Sequence, residues 1–457
     1  MQISKIVSLF VKKGKSIPIH KTLTKVDDFA CEYVDDVLGA VKGKGIKGVK
    51  LRPTLETQAK LGDASVWIES RLQGALPEAK SEMSLIFGDL QSVERTMHRS
   101  KGALSIYPKL EKGLVKAAES SRGLESMDDA VALIGDGIGS RVITKALPKL
   151  SKSELDDMIA KTIIDGRKIT PDEIKLLKGY IYSGNPGKSS DKVFRLYEQF
   201  AQPLVEKRSK EVVDRLTASV LKHRVNTEGL DVSSLRAKGL FDDDILKLVE
   251  AEEVLPLEIT QINNYRGAHG LAEFTNGQIQ QLSRALNTGR SGPKIKIASD
   301  VRGLDDFLYP PEEVATLAKK SIKSSGYRTA QMNVVHANGA LGEIQFRGPQ
   351  TNIFGEYEHI AYDLRQGKNT LGPLFDDFTA SVSKLTDKQY QKYNKYLEEC
   401  YNYYHRLELG LPGKKPKLPR GFDKVLSEES MRALHDKAEL LAKEQGKTFS
   451  RHLAEVA

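Results

Sequence analysis

Cysteine is nearly absent from this chain, which has Cys31 and Cys400 as its only two in 457 residues. Two cysteines so far apart have no metal-site spacing and make no disulfide framework, so a reducing compartment is expected. Long apolar runs are also missing, since nothing approaches the ~18 consecutive apolar residues of a membrane span. The apolar run 6–11 is too short for the core of a signal peptide. These absences argue against disulfide-stabilised secreted scaffolds and membrane proteins, and they predict a cytoplasmic protein with no membrane partner.

Charge, by contrast, is abundant and unbalanced. Lys and Arg number 70 against 61 Asp and Glu, which gives a formal net charge of +9. A basic chain suits an anionic partner such as a nucleotide or RNA. The hydrophobic content of 39% fits a folded protein, and the length predicts two to four structural units.

Segment 326–347 has the strongest local pattern in the chain, two β-prone runs around Asn338-Gly339. Asn-Gly tolerates the positive φ angles of a hairpin turn, so the pattern predicts strands over Thr329–His336 and Leu341–Arg347. In the second strand polar and apolar residues alternate, which gives it one polar face. A solvent-facing side of an antiparallel sheet has the same alternation, so this pattern alone leaves both interpretations open.

The loop length decides which side chains share that face, because a slip of one residue turns every side chain over. A three-residue loop with Gly339 in the left-handed conformation places Glu343 opposite Asn333, whereas a two-residue loop places it opposite Val334. Only the odd loop gathers the polar side chains, and we predict that register. With Tyr327 nearby, the gathered set is typical of a site for a polar ligand. Its members are Gln331, Asn333, Glu343, Gln345 and Arg347.

Two earlier segments favour phosphate and metal chemistry. Arg99, Lys101 and Lys109 surround a predicted helix N-terminus with Ser105 as its cap. A helix N-terminus with a hydroxyl and nearby cations can hold a polyphosphate, although a capped helix beside surface charges looks the same. Asp136 lies in a Gly-rich turn before a β-branched strand, where a turn aspartate without a ligand is the alternative.

Taken together, these segments resemble the RelA/SpoT synthetase family, whose members transfer pyrophosphate from ATP to the 3′-hydroxyl of a nucleotide. The resemblance covers roughly 91–145 and 294–365, and the motifs occur in the family's order. The matching segments are Arg99-x-Lys101-x-x-x-Ser105-Ile106-x-x-Lys109, Asp136-x-x-Gly139-x-Arg141, Lys323-x-x-Gly326-Tyr327 and Glu343-x-Gln345-x-Arg347.

The resemblance implies a role for each matching residue. It implies Mg²⁺ as cofactor, with Asp136 and Glu343 as its ligands and as the catalytic carboxylates. The implied ATP-binding residues are Arg99, Lys101, Ser105, Lys109 and Arg141. The implied acceptor-binding residues are Lys323, Tyr327, Gln331, Asn333, Gln345 and Arg347.

The identity of the acceptor stays open. Gln331 stands where the family usually has His, and Ser325 stands where many members have Asn, both near the acceptor base. A guanine nucleotide (GDP or GTP), an adenine nucleotide and the 3′ end of tRNA are the candidates. A catalytically dead nucleotide-binding module is a further interpretation, against which intact Asp136 and Glu343 argue.

No hydrolase segment precedes the motifs, so the resemblance favours a synthetase-only protein of the stringent-response alarmone type. The large addition to the core favours a toxin or an effector delivered into another cell, with an antitoxin or immunity protein as a further partner.

The implied fold is α+β, a nucleotidyltransferase-like mixed β-sheet core with flanking helices, a large helical insertion and a helical C-terminal tail. The tyrosines of that tail fall on two sides of a helical projection, which predicts packing more than a base-stacking platform. The expected regions are a helical N-terminal region 1–90, synthetase core segments 91–145 and 294–365, a helical insertion 146–293 and a helical C-terminal region 366–457.

Overall fold

The structure is a computed structural model that describes residues 55–103, 105–110, 134–187, 190–290, 295–298, 319–365 and 376–444. The predictions for 1–54, 366–375 and 445–457 lie outside the described residues. So does part of the segment before Asp136. Within the described residues the chain is a mixed α+β protein, in agreement with the predicted fold class.

Helices make up most of the described chain, and several begin where the sequence has a capping box. The helices are α1 (Leu55–Phe87), α2 (Lys152–Ala160), α3 (Pro171–Ser183), α4 (Ser190–Glu228), α5 (Val232–Ala237), α6 (Asp243–Glu250), α7 (Asn276–Asn287), α8 (Pro349–Arg365), α9 (Asp376–Ser383), α10 (Asp387–Glu408) and α11 (Glu428–Glu444). The capping residues of α2, α3, α7 and α10 are Ser151, Thr170, Thr275 and Thr386. Each cap side chain accepts a hydrogen bond from the backbone N–H of the third helical residue, and the side chain of that third residue accepts one from the backbone N–H of the cap.

A seven-stranded mixed sheet forms the centre of the described residues. Its strands are β1 (Val93–Ser100), β2 (Ile138–Thr144), β5 (Glu258–Gly267), β6 (Lys296–Ala298), β7 (Ile322–Lys323), β8 (Thr329–Val335) and β9 (Leu341–Arg347); β3 (Ile163–Ile164) and β4 (Arg167–Lys168) form a separate hairpin. The order in the sheet is β1-β2-β9-β8-β5-β6, and β7 also pairs with β5. The β2–β9, β5–β6 and β5–β7 pairs are parallel, while β1–β2, β9–β8 and β8–β5 are antiparallel.

The predicted hairpin and its register are confirmed. Asn333 pairs with Glu343 in β8–β9, so the loop is the three-residue one. His336 N donates to the carbonyl of Ala340 at 2.9 Å and closes that loop. Gly339 has φ +80°, a left-handed conformation that glycine adopts without steric cost.

Strand β5 corrects the predicted helical insertion over 146–293. The strand lies inside the core sheet, where Asn263 pairs with Gln331 of β8. The helices of this region also pack on the sheet, because residues of α4 and α7 share one hydrophobic cluster with β8 and β9. The strand was missed because asparagine is disfavoured in strands and Asn263-Asn264 interrupts the alternation.

The two faces of the sheet differ in what covers them. Ile262, Met332 and Ile344 point to one side, where they are buried against α1, α4 and α7. The opposite side is partly covered by α8 and α10, whose Phe354 and Tyr401 belong to a separate aromatic cluster. Side chains of alternate parity face that side, which we call the polar face. Its central members are Arg141, Gln331, Asn333, Glu343 and Gln345.

The C-terminal helices agree with the prediction of packing. Tyr393, Tyr396, Tyr401 and Tyr404 of α10 are buried in the aromatic cluster, so they serve as core. No helix among the described residues is long and apolar enough to cross a membrane.

Candidate functional site

Strand pairing aligns residues of four strands in one row across the polar face. Arg99 pairs with Gly139 in β1–β2, Gly139 with Glu343 in β2–β9, and Glu343 with Asn333 in β8–β9. The Arg99 side chain lies over Gly139, since a Cβ added there would be 3.5 Å from Arg99 Nε. The strand pairing therefore brings residues of the predicted ATP, metal and acceptor sets side by side.

At the start of β2, Asp136 forms a cluster with two lysines. Lys101 Nζ donates to Asp136 Oδ2 at 2.5 Å, and Lys109 Nζ binds the same oxygen. Burial lowers the pKa of Lys101 to about 8, although Asp136 acts in the opposite direction. Burial also acts to raise the pKa of Asp136, but Lys101 and Lys109 outweigh it and hold the pKa below its ordinary value. Two of the predicted ATP-binding residues, Lys101 and Lys109, therefore bind the half-buried carboxylate of Asp136, a predicted metal ligand.

The prediction that Ser105 caps the helix is wrong. Ile106 N donates to the carbonyl of Gly102 at 3.1 Å, so Gly102 is the cap position and Ser105 lies within the first turn. A carboxylate supplies the missing acceptor at this N-terminus, because Ala103 N donates to Glu69 Oε2 at 3.0 Å. Ser105 remains exposed beside the cluster, where a ligand can reach it.

Glu343 is held by amides on the polar face. Gln331 Nε2 and Gln345 Nε2 each donate to one of its carboxylate oxygens. Gln345 in turn accepts from Arg347 Nη2 at 2.8 Å. These bonds fix the orientation of Glu343, which is what a group that positions a reacting hydroxyl requires.

Arg141 pairs with a residue that the sequence motifs do not include. Its Nη1 binds Glu356 Oε1 on α8, which begins directly after β9. Burial lowers the pKa of the Arg141 guanidinium, while Glu356 acts to raise it. The predicted ATP residue therefore already has an anionic partner from within the chain.

Arg347 is buried beside the half-buried Tyr327. Arg347 Nη2 donates to the Tyr327 hydroxyl at 2.5 Å, and its guanidinium carbon lies 4.9 Å from the Tyr327 ring centroid. Arg347 is only 3% exposed, so it positions Tyr327 and Gln345 more than it offers a surface for an acceptor phosphate. Gly326 lets Tyr327 approach α10, since a Cβ there would be 2.5 Å from the Glu398 Cα atom.

Tyr265 was not among the predicted site residues. It lies on β5 with its ring centroid 6.2 Å from that of Tyr327, and the ammonium group of Lys323 is 4.1 Å from the Tyr265 centroid. Asn263 and Gln261 of the same strand extend the polar face past Gln331 and Asn333. The polar residues around Tyr265 were the sequence signal for this part of the site. Without the assignment of β5, their spacing did not show which side chains share a face of the sheet.

The donor set of the site fits Mg²⁺. Asp136 and Glu343 offer carboxylate oxygens, which together with substrate phosphates are the usual ligands of this ion. The turn that holds Asp136 adjoins the polar face, because a Cβ added at Gly135 would lie 3.9 Å from Asn333 Nδ2. In the structure, the lysine ammonium groups occupy Asp136 and the amides occupy Glu343.

Two other features lie elsewhere. A groove on the opposite side of β5 is lined by Asn264, Arg266, Thr275 and other residues. On α11 a surface group of His435, Asp436 and Glu439 has donor atoms within 4.8 Å of one another. Neither contains a predicted site residue.

Comparison with known proteins adds no assignment. No protein-family model matches this chain, and neither does any curated protein or solved structure.

Proposed function

We propose that this chain is an ATP-dependent pyrophosphokinase with a nucleotidyltransferase-like core, similar to the RelA/SpoT synthetases, that acts on the 3′-hydroxyl of a nucleotide. The observation that carries the proposal is the row from Arg99 through Gly139 to Glu343 and Asn333. The β8–β9 part of its register was predicted from the hairpin, and the row sets Arg99 beside an oriented carboxylate. Such an arrangement suits phosphoryl-type transfer, where positioning and charge neutralisation supply most of the catalysis.

On the donor side, Lys101, Lys109 and Arg99 bind the ATP phosphates. The lysines leave Asp136 for the phosphate oxygens, and Asp136 and Glu343 would be the residues that hold Mg²⁺. The ion would supply neutralisation of the negative charge on those oxygens. Ser105 lies at the edge of this set, in the first turn of its helix.

On the acceptor side, Tyr327 and Tyr265 offer ring surface to a base, while Gln331 and Asn333 offer amides to its edge. Lys323 is half-buried, and burial lowers its pKa, so an acceptor phosphate would stabilise its charged form. Arg347 keeps Tyr327 in place from beneath. The acceptor is therefore held by rings and amides on one side of Glu343.

Glu343 orients the 3′-hydroxyl and accepts its proton. The 3′ oxygen then bonds to the β-phosphorus of ATP, the bond from that phosphorus to the α–β bridging oxygen breaks, and AMP leaves with this oxygen. The pyrophosphoryl group ends on the acceptor, so one AMP forms for each acceptor modified.

The 3′ end of tRNA is a second candidate acceptor, and one surface favours it. Lys388, Lys392 and Lys395 are exposed on α10. The same helix contacts the loop before Tyr327, where Asn394 Nδ2 donates to Ser324 Oγ at 3.4 Å. A basic surface next to the acceptor site suits a polyanion longer than a nucleotide. Action as a toxin or effector with a neutralising partner stays a prediction.

The test is to incubate the purified chain with ATP labelled in the β-phosphate and with each acceptor in turn: GDP, GTP, ADP, ATP and tRNA. Resolving the products should show label on one acceptor class together with an equal amount of AMP. Triple replacement of the α10 lysines by glutamine should reduce transfer to tRNA only. Absence of AMP formation with every acceptor would refute the proposal.

A further inference from the structure

The pair formed by Arg141 and Glu356 joins the sheet to α8. Arg141 lies on the polar face beside Gln345, its partner in β9. Glu356 lies in the middle of α8, which follows β9 after a single residue, and its carboxylate binds Arg141 in the middle of β2. The side chain of Glu356 is 30% exposed, so water and ligands reach it.

More than one arginine acts on this carboxylate. Burial acts to raise the pKa of Glu356, but Arg141, Arg347 and Arg99 outweigh it and hold the pKa below its ordinary value. The carboxylate is therefore charged at neutral pH and lies in the positive potential of three guanidinium groups. Without it, these like charges would repel one another across the polar face.

We propose that Glu356 is a displaceable counter-ion that occupies the anion position at Arg141 until a polyphosphate replaces it. The inference rests on the proposed function, which assigns Arg141 to the ATP phosphates. It adds an autoinhibitory contact: ATP binds only by separating a pair that the empty site has formed, and the freed carboxylate then lies close to the incoming phosphates.

The exposure of the carboxylate is what distinguishes this pair from a permanent one. The buried Glu408 is fixed by Arg208 and also by the Thr351 backbone and hydroxyl. For Glu356, by contrast, Arg141 is the hydrogen-bond partner found among the described residues. A carboxylate with one hydrogen-bonded guanidinium partner and access to water is solvated when a phosphate takes its place, so the pair can separate without leaving a buried, uncompensated charge.

The experiment is calorimetric titration of α,β-methylene-ATP with Mg²⁺ into the wild type and Glu356→Gln. Glutamine keeps the size and removes the charge that competes with phosphate, so the affinity should rise by roughly tenfold or more, the range for a close charge pair. The melting temperature of the ligand-free variant should fall, because Arg141 loses its counter-charge. Asp89→Asn is the matched control: it removes a carboxylate paired with Arg215 elsewhere and should leave the affinity unchanged.

An affinity for Glu356→Gln that is equal to or weaker than that of the wild type would overturn the inference, since a residue that merely positions Arg141 would weaken binding when lost. Glu356→Asp retains the negative charge but places it farther from Arg141, so its affinity for the ATP analogue should rise less than that of Glu356→Gln. If the affinity rises in neither variant, the inference is overturned. Lys101→Ala in the same titration distinguishes failure of the counter-ion proposal from failure of the proposed function. If Lys101→Ala weakens ATP binding while Glu356→Gln does not change it, the counter-ion proposal is wrong and the ATP site is retained. If Lys101→Ala also leaves ATP binding unchanged, the proposed function is wrong.

Discussion

Two charged clusters in this protein contain the same kinds of side chain in different surroundings. Arg208, Glu273 and Glu408 form ion pairs at 0–2% side-chain exposure, and Glu408 also accepts from Thr351 at the start of α8. Lys101, Lys109 and Asp136 pair at 18–45% exposure on the polar face. The first cluster ties α4 and α10 to α8, whereas the second is open to solvent.

The difference shows which charges are available to a ligand. A fully buried pair cannot give up one member without leaving an uncompensated charge in a low-dielectric interior. Half-exposed groups are solvated when they separate, so a phosphate can replace one partner at little cost. We therefore assign structure to the Arg208 cluster and ligand binding to the Lys101 cluster.

The largest expected effect comes from Glu343→Gln on the polar face. The substitution keeps the size of the side chain but removes the charge that orients and deprotonates the hydroxyl, and it replaces one of the two oxygens that accept from Gln331 and Gln345 by an amide nitrogen. Transfer should fall by roughly 10²–10⁴-fold with ATP binding nearly preserved. Single-turnover kinetics beside an ATP titration measure both. A wild-type rate would move the catalytic role to another carboxylate.

Arg208→Ala should show the opposite profile. It leaves Glu408 and Glu273 buried without their counter-charge, so the free energy of unfolding should fall by about 3–5 kcal/mol. Lys101→Ala should change that free energy by less than about 1 kcal/mol, as expected for a partly exposed pair. Chemical denaturation of both variants measures the contrast, and similar losses in the two would remove the distinction between the clusters.

A smaller effect is expected at the acceptor side. Tyr327→Ala should weaken acceptor binding by about 1–3 kcal/mol through lost stacking, with ATP affinity unchanged. Tyr327→Phe keeps the ring and loses only the bond from Arg347, so it is the matched control and should bind the acceptor nearly as the wild type does. Equal losses in both variants would assign the effect to Arg347 rather than to stacking.

The smallest effect is a pH dependence. Burial lowers the pKa of Lys101 to about 8, so ATP affinity should fall as the pH rises through that value, by at most about tenfold per pH unit. Stability should change in the other direction, rising between pH 8 and 10.5, because the unfolded lysine still holds its proton there. Titrations from pH 7 to 9 should show the fall in the wild type and none in Lys101→Met; an unchanged slope in that variant assigns it to another group.

The sequence predicted the hairpin because two independent constraints agree there. Asn338-Gly339 limits the loop, and the alternation around Glu343 admits one register that gathers the polar residues. No two constraints agreed in this way for strand β5. Its asparagines interrupt the alternation of polar and apolar residues, so the strand that carries Tyr265 was not predicted. The pairing of Glu356 with Arg141 and the position of Ser105 could not be predicted, because the pairing depends on how α8 packs and the helix cap depends on a carbonyl of Gly102. The local sequence pattern therefore predicted the hairpin, whose structure depends on residues close in sequence. It did not predict the features that depend on contacts between residues distant in sequence.

The fate of the α–β bridging oxygen of ATP tests the central claim most directly. With ¹⁸O at that position and an active acceptor, attack on the β-phosphorus leaves the heavy oxygen in AMP, which mass spectrometry detects. A nucleotidyl transfer, also possible for a nucleotidyltransferase-like core, attacks the α-phosphorus and releases the label in pyrophosphate. The account predicts labelled AMP and unlabelled pyrophosphoryl product; labelled free pyrophosphate would contradict it.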